Sequence, residues 1–243
     1  MFYIIGIGLN TKQLTIEAIE AIKNCKDVYI DNYTNIFSSG EIKDLEEIIN
    51  KEIITLNRTQ LEQEMTFLKE DACLLVIGNP FSATTHYTIL DEAKQKNIKV
   101  KIISGISIFN YRGVCGLFEY KFGKTTSVVY PIDNYKPTSF YDIIIDNLKI
   151  GAHTLCLLDI KIEDKRFMSV VEACKILEEI DVNNNLKEQT CVALCGIAGK
   201  NEQIITFNFK DYKDLKTESY PQSLIICGKI NDFEKGAIDE YRR

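Results

Sequence analysis

Residues 74–86 read LLVIGNPFSATTH, and they decide how the chain around them is interpreted. The apolar run at their start predicts a buried strand. The Gly-Asn-Pro turn at 78–80 ends that strand, because glycine permits a positive φ while proline has a fixed φ and no N–H. A helical pattern follows over 84–96. Open α/β sheets bind ligands where a strand ends in a small-residue turn before a helix, although the same pattern also fits an ordinary connection.

Strand-like and helix-like segments alternate on both sides of this stretch. Residues 2–9 predict a first strand, and Thr15 is suited to cap a helix over Ile16–Asn24. Residues 60–69 predict an amphipathic helix directly before the central strand. This alternation favours an α/β fold with a mostly parallel sheet and helices on its faces.

The pattern loosens between Tyr111 and Gly123, and we place a domain boundary there. Residues 1–112 then form an N-terminal α/β domain with a mostly parallel sheet. Residues 113–243 form a C-terminal α/β domain, whose consecutive late strands indicate a mixed sheet. In this second half the sequence from Ser139 to Asp142 predicts a capping box that opens a helix.

Composition bounds the class of protein. The chain has 243 residues, enough for two domains with cores, and a net charge of −6, which argues against broad binding to nucleic acid. There is no basic segment before the first apolar run and no apolar run long enough to span a bilayer, so we expect a cytoplasmic protein without a membrane segment. Eight cysteines without a CxxC pair indicate buried reduced thiols.

Familiar catalytic motifs are missing from the sequence. Its two histidines, His86 and His153, are too few for a metal site, and no GxSxG appears. Gly6 and Gly8 lack the third glycine of a dinucleotide fingerprint, and the Gly-Lys-Thr at 123–125 lacks the upstream glycine of a P-loop. What remains is a set of small or polar strand ends that could line one cleft between the domains and hold a polar ligand through backbone groups. These strand ends lie at 6–10, 78–85, 104–108, 158–159, 194–199 and 219–222.

Four segments carry a resemblance to a known family. They read FYIIGIGL at 2–9, GNPFSATTH at 78–86, SIFN with GVCGL within 107–117, and HTLCLLDIK at 153–161. Together they resemble the diphthine synthases of the tetrapyrrole-methylase-like superfamily, whose own motifs include GDPFGATTH and HTLCLLDIK. The last string and the TTH ending separate this family from precorrin and ribosomal-RNA methylases. The resemblance implies two α/β domains with a cofactor cleft between them, and a homodimer.

The resemblance also implies an activity. Members of this family are S-adenosylmethionine-dependent methyltransferases that release S-adenosylhomocysteine. Their acceptor is a modified histidine of translation elongation factor 2, part-way to diphthamide. The amine of its 3-amino-3-carboxypropyl group is methylated, and in eukaryotic members also the carboxylate. We expect no metal, no direct nucleic-acid partner and no assigned general base, and we expect a structural role for His86.

Carried over by position, the resemblance implies cofactor contacts from Leu9, Asn79, Ser82, Ser107, Ile108, Leu158, Ile197 and Gln222. Asn79 replaces the family's aspartate, Ser82 replaces a glycine, and Gln222 replaces a histidine. Gly196 stands where a larger, often basic residue is common. Because charge-assisted hydrogen bonds are about twice as strong as neutral ones, asparagine at position 79 predicts weaker binding of a cationic cofactor. Two alternatives stay open: a methylase of a tetrapyrrole or other small substrate, and a cofactor-binding relative with reduced or lost activity.

Overall fold

The computed structural model describes residues 1–31, 33, 35–84, 86–132 and 136–242. The chain forms two compact units. The first comprises Met1–Asn110 with Lys161–Lys165, and the second comprises Tyr111–Ile160 with Arg166–Arg243. Each unit contains its own five-stranded sheet. The grouping of Lys161–Lys165 with the first unit is a feature that the sequence did not indicate.

The first unit is built on a parallel sheet. Its strands are β1 (Phe2–Gly6), β2 (Asp27–Asp31), β3 (Ile54–Leu56), β4 (Ala72–Val76) and β5 (Val100–Ile103). They lie in the order β3-β2-β4-β1-β5, and every neighbouring pair is parallel. The helices that connect or follow them are α1 (Ile16–Asn24), α2 (Ile42–Ile49), α3 (Tyr87–Gln95) and the single turn α4 (Ile108–Tyr111). The predicted parallel α/β sheet is confirmed.

The central strands are apolar without interruption because both faces of this sheet are covered. In β1, Phe2 and Ile4 belong to one apolar cluster and Ile5 belongs to the other. In β4, Leu74 packs with the first cluster and Leu75 with the second. Alternate side chains of a strand point to opposite faces, so a strand with two buried faces needs apolar residues at every position.

Two local predictions in this unit need correction. The helix expected over 60–69 is only a π-helical turn, Gln60–Glu64, because Met65 adopts a left-handed φ of 45° and the chain then turns inward to bury Phe67. Thr15 does cap α1, accepting a hydrogen bond from the backbone of Ala18 at 3.1 Å. The sequence pattern also predicts one buried stripe made of Ile16, Ile19, Ala21 and Ile22, but Ile16 is 77% exposed.

The second unit is built on a mixed sheet. The strands of this sheet are β6 (Thr126–Val128), β7 (Thr154–Leu158), β10 (Thr190–Cys195), β11 (Gln203–Asn208) and β12 (Gln222–Ile226), in the order β11-β10-β12-β7-β6. Two short strands, β8 (Ile160–Lys161) and β9 (Arg166–Phe167), form a separate ribbon. Only the β6–β7 pair of the larger sheet is parallel. The helices are α5 (Ser139–Lys149), α6 (Val170–Ile180) and α7 (Asp232–Asp239), with 3-10 turns at Glu119–Lys121 and Phe209–Asp214.

The predicted capping box at Ser139 is wrong. Thr138 precedes the first residue of α5, and no side-chain hydrogen bond caps that end. Complete capping boxes stand instead at α6, between Ser169 and Glu172, and at α7, between Asn231 and Glu234. These two helices therefore have their first backbone N–H groups paired by their own side chains.

All eight cysteines are buried and unpaired. Within the described ranges, no helix is long and apolar enough to cross a membrane. The same ranges hold no group of three or more His, Cys, Asp or Glu side chains that could bind a metal ion.

A buried ionic cluster joins the start of α7 to His153, the residue before β7. The Glu234 carboxylate is fully buried, and it accepts hydrogen bonds from the backbone N–H groups of Phe118 and Asn231, each at 3.0 Å. Lys121 and His153 also donate to it. His153 accepts a backbone hydrogen bond at Nδ1, so its proton lies on Nε2, facing Glu234.

The four donors outweigh the cost of burying a charge. Burial alone would raise the pKa of Glu234, but the hydrogen bonds from Lys121, Asn231, Phe118 and His153 lower that pKa from 4.5 to about 2. One pKa unit corresponds to about 1.4 kcal/mol, so the ionised carboxylate stabilises the folded chain by roughly 3 kcal/mol.

We therefore expect Glu234→Gln to lower the free energy of unfolding in a pH-dependent way. Because the folded-state pKa lies below the unfolded one, the wild-type advantage is complete above about pH 5 and shrinks as the pH falls from 4.5 toward 2. Urea unfolding of both proteins between pH 3.5 and 7 measures it, with the exposed Glu47→Gln as the control variant. A stability gap that stays constant over this range would contradict the assignment.

Candidate functional site

Three glycines bring the carboxyl ends of β1, β4 and β5 together. A Cβ placed on Gly6 would lie 2.7 Å from the carbonyl oxygen of Gly78, and one on Gly105 would lie 2.7 Å from the carbonyl oxygen of Gly6. Gly78 has a φ of +87° and exchanges backbone hydrogen bonds with Gly8. These distances exclude a side chain at Gly6 and at Gly105, and the positive φ favours glycine at 78, so the three backbones meet directly at the edge where parallel α/β sheets bind ligands.

Asn79 links two of these strand ends. Its Nδ2 donates to the carbonyl oxygen of Gly105 at 3.2 Å, and its Oδ1 accepts from the backbone N–H of Phe81 at 3.1 Å. Both ends of the amide are thus engaged within the first unit. The donor at Nδ2 is the property that distinguishes asparagine from aspartate at this position.

The other predicted residues of the first unit lie in the same loops. Leu9 and Ser107 are buried, while Ser82 and Ile108 are half-buried. The backbone N–H of Leu9 donates to Gln13 Oε1 at 2.8 Å, and that of Ser107 donates to Asn110 Oδ1 at 2.9 Å. We call Leu9, Asn79, Ser82, Ser107 and Ile108 the first-unit group.

The remaining predicted residues meet at one end of the mixed sheet. The register pairs Leu157 with Ser223 and Cys195 with Gln222, so Leu158, Gln222 and the turn holding Ile197 lie at the same end. All three are buried, with exposures of 7%, 3% and 3%. We call Leu158, Ile197 and Gln222 the second-unit group.

Gln222 has a local role that the sequence did not reveal. Its Oε1 accepts a hydrogen bond from the backbone N–H of Val170 at 2.8 Å, and its Nε2 donates to the carbonyl oxygen of Ser219 at 3.1 Å. The side chain therefore caps the start of α6. Nearby Gly196 has a φ of +55°, and a Cβ added to it would lie 2.7 Å from the Cβ of Ser219, which leaves no room for a larger side chain.

His86 is held as a structural side chain. It is 2% exposed, with Nδ1 at 2.8 Å from the carbonyl oxygen of Pro80 and Nε2 at 3.1 Å from Asp31 Oδ2. A carbonyl oxygen only accepts, so Nδ1 carries a proton, and the second nitrogen is occupied by Asp31. The pair ties the end of β2 to the loop after β4. The sequence analysis did not identify Asp31 as a partner of His86. The only indication in the sequence was a polar residue at the end of a buried strand.

Each group by itself offers neutral side chains. The first-unit group has an amide, hydroxyls and aliphatic side chains, and the second-unit group has an amide and buried aliphatic side chains, with no charged side chain among the predicted residues. Side chains of this kind suit a ligand that brings its own reactive chemistry.

Comparisons with known proteins bear on the identity of this ligand and on the reaction. Residues 1–211 match the family model described as Tetrapyrrole (Corrin/Porphyrin) Methylases. The chain is 39% identical over 243 residues to the diphthine synthase of Staphylothermus marinus, covering 96% of this chain and 91% of that protein. It is 35% identical over 254 residues to the diphthine methyl ester synthase of Saccharomyces cerevisiae, covering 94% and 85%.

The fold agrees with these sequence matches. A crystal structure of a diphthine synthase superposes with a TM-score of 0.89 at 26% identity, covering 100% of this chain and 96% of the other.

The chain belongs to the diphthine synthases of the tetrapyrrole methylase family. The predicted family and fold class are confirmed. Membership of this family makes the protein an S-adenosylmethionine-dependent methyltransferase. Both of these relatives are named for diphthine synthesis, and each aligns with nearly the whole of this chain. The similarity therefore disfavours the alternative of a tetrapyrrole methylase.

Substitution of Gly105 tests whether the glycine contact shapes the site. We expect Gly105→Ala to destabilise the first unit and to weaken binding of S-adenosylhomocysteine, since its Cβ would meet backbone atoms that cannot move aside. Gly236→Ala is the matched control, because Gly236 lies exposed in α7 with nothing within 4 Å of its added Cβ. This control should stabilise the protein by about 0.5–1 kcal/mol. Calorimetry and thermal melting measure both changes, and a harmless Gly105→Ala would refute the contact.

A second variant tests the hydrogen bond from Asn79. We expect Asn79→Asp to cost about 1–3 kcal/mol of stability, because a carboxylate would face the carbonyl oxygen of Gly105 without a donor. Asn57→Asp is the control, since among the described residues the Asn57 side chain is engaged only through Oδ1, which accepts from the backbone N–H of Gln60. Chemical unfolding compares the two. Equal stability of Asn79→Asp and the wild type would show that this amide donor contributes nothing.

Proposed function

We propose that this protein methylates the 3-amino-3-carboxypropyl-histidine intermediate of translation elongation factor 2 in diphthamide biosynthesis. The observation that carries the proposal is the similarity, over more than nine-tenths of the chain, to an archaeal diphthine synthase and a yeast diphthine methyl ester synthase. The acceptor atom is the amine of that intermediate, with S-adenosylmethionine as the methyl donor.

The first-unit and second-unit groups are the residues that we propose hold S-adenosylmethionine. When bound, this molecule supplies a methyl group already activated by its sulfonium. The aliphatic side chains of Leu158 and Ile197 suit the purine of the cofactor, while the hydroxyls of Ser82 and Ser107 suit the ribose and amino-acid parts of the cofactor. The side chains of Asn79 and Gln222 act instead as positioning groups, since both amides already have protein partners.

The protein's own contribution to the reaction is positioning and dehydration. The glycine contact fixes the backbone of the first-unit group without mobile side chains, so the reacting groups meet in a defined orientation. Positioning of this kind supplies about 7–11 kcal/mol of barrier reduction. Removal of water also lowers the pKa of an amine, which favours the neutral nucleophile.

Neither histidine serves as a general base in this proposal. His86 has both ring nitrogens occupied and His153 is fully buried against Glu234. Burial has the largest effect on the pKa of His153 and lowers it. The unprotonated ring nitrogen, Nδ1, already accepts a backbone hydrogen bond. The amine proton therefore passes to solvent rather than to an assigned side chain.

A cytoplasmic location and a homodimer belong to the same proposal, by analogy with the family. Elongation factor 2 is the protein partner, and we propose no direct contact with nucleic acid.

The test begins with isothermal titration of the full chain with S-adenosylhomocysteine and S-adenosylmethionine. We expect micromolar binding, followed by transfer of labelled methyl groups to elongation factor 2 that carries the intermediate and none to the unmodified factor. Mass spectrometry of the modified histidine counts the methyl groups and shows whether the carboxylate is also esterified.

Different failures of this test have different meanings. Binding without transfer would identify a cofactor-binding relative that has lost activity. Transfer to a tetrapyrrole but not to elongation factor 2 would overturn the acceptor. Absence of binding to either compound would overturn the cofactor assignment, and the departures at Asn79, Ser82 and Gln222 would be the first positions to revert.

A further inference from the structure

An arginine stacks on a buried tyrosine in the second unit. The guanidinium carbon of Arg166 lies 3.5 Å from the centroid of the Tyr130 ring, and Tyr130 is only 4% exposed. The Tyr130 hydroxyl donates to Glu172 Oε1 at 3.2 Å. Burial raises the pKa of Tyr130 to about 12, and Glu172 adds to that increase while Arg166 opposes it. The tyrosine therefore stays a neutral platform that holds the exposed guanidinium in one orientation.

The Glu172 carboxylate interacts electrostatically with this arginine but is also held by other groups of the second unit. Glu172 Oε2 accepts from the backbone N–H and the hydroxyl of Ser169, each at 2.9 Å. Asp159 Oδ2 accepts from the backbone N–H of Tyr130 at 3.1 Å. Over the part of the chain that the structure describes, the arginines in ion pairs are Arg58 and Arg242, so Arg166 is not among them. Several of its five N–H donors remain for an external oxygen.

A second cluster of the same composition shows what is unusual about the first. Lys213 lies over the ring of buried Tyr212 at 5.2 Å, and the Tyr212 hydroxyl donates to Glu178 at 2.7 Å. There the cation closes the cluster by pairing with Glu178 at 3.1 Å. Both clusters contain a cation, a tyrosine and a glutamate, but among the described residues only the Lys213 cluster has an ion pair between its cation and its glutamate.

Arg166 is tied to the second-unit group by short connections. Tyr130 bonds to Asp159, the neighbour of Leu158. The backbone of Met168, two positions beyond Arg166, donates to the carbonyl oxygen of Asp159 at 2.9 Å, and Val170 donates to Gln222. The guanidinium thus stands at the end of the mixed sheet that carries Leu158 and Gln222.

We propose that Arg166 binds the carboxylate of the aminocarboxypropyl group on the acceptor, with Tyr130 and Glu172 holding its guanidinium in place. This inference rests on the proposed function, which supplies an acceptor with a carboxylate beside the amine to be methylated. A planar guanidinium matches a carboxylate with two parallel hydrogen bonds, which orients the acceptor as well as holding it. The methionine part of S-adenosylmethionine also carries a carboxylate, so the experiment must separate the two sources.

The experiment compares Arg166→Gln, Arg166→Lys and the matched control Lys213→Gln with the wild type. Three quantities are measured: affinity for S-adenosylhomocysteine, affinity for modified and for unmodified elongation factor 2, and KM and kcat of methyl transfer. We expect Arg166→Gln to weaken affinity for the modified factor and raise its KM by about 10- to 100-fold. Affinity for S-adenosylhomocysteine and for the unmodified factor should stay within about twofold, since no charge-assisted bond is lost there.

Arg166→Lys should recover part of the lost affinity, because it restores the charge without the planar fork, and Lys213→Gln should change none of the three quantities. Thermal melting of all variants excludes a loss of folding.

Two results would overturn the proposal. A fall in affinity for S-adenosylhomocysteine, with KM for the acceptor unchanged, would assign the arginine to the cofactor. A KM for the acceptor that is the same in Arg166→Gln as in the wild type would show that Arg166 does not bind the acceptor carboxylate. This result would leave the methyltransferase function intact. A third result would separate this proposal from the proposed function. In it, the wild type binds the modified factor more tightly than the unmodified one, Arg166→Gln loses this preference, and neither protein transfers methyl groups. The proposed function would then fail, while the assignment of Arg166 to the acceptor carboxylate would stand.

Discussion

The direct contact between the backbones of Gly6, Gly78 and Gly105 is the constraint on which the first unit depends. Three parallel strands end where a single Cβ would collide with a neighbouring carbonyl group. The loops that follow therefore start from fixed positions and in fixed directions. The amide of Asn79 then bridges two of these loops, and the residues expected to meet a cofactor follow within a few positions. The shape of the site is thus set by the absence of side chains as much as by their presence.

The polar residues that a search for catalysts would select first are occupied in holding each unit together. His86 joins β2 to the loop after β4 through Asp31, and His153 fixes the start of α7 through Glu234. Removing one member of such a buried pair leaves its partner without compensation, which gives these pairs a structural role. An enzyme whose methyl donor is already activated needs orientation and dryness more than a proton-transfer side chain, and the structure matches that need.

The two tyrosine clusters of the second unit differ in whether the cation forms an ion pair with the glutamate. Each sets a cation over a buried ring beside a glutamate. In the Lys213 cluster the glutamate forms an ion pair with the cation. In the Arg166 cluster the glutamate instead accepts hydrogen bonds from Ser169 and Tyr130. Arg166 influences Glu172 and Tyr130 electrostatically but forms no ion pair with a carboxylate among the described residues.

The sequence by itself determined the class of each unit, most strands and helices, and the family. These depend on local periodicity and on contiguous motifs such as HTLCLLDIK, since burial of a strand face imposes a pattern on consecutive residues. It failed where a single residue interrupts the pattern, as at Met65, whose left-handed backbone cuts short the helix expected over 60–69. Only the tertiary structure decided which strand ends meet, that Asp31 pairs with His86, that Gln222 caps α6, and that Tyr130 supports Arg166. These contacts join residues far apart in sequence, and strand order and register, which leave no local pattern, bring them together.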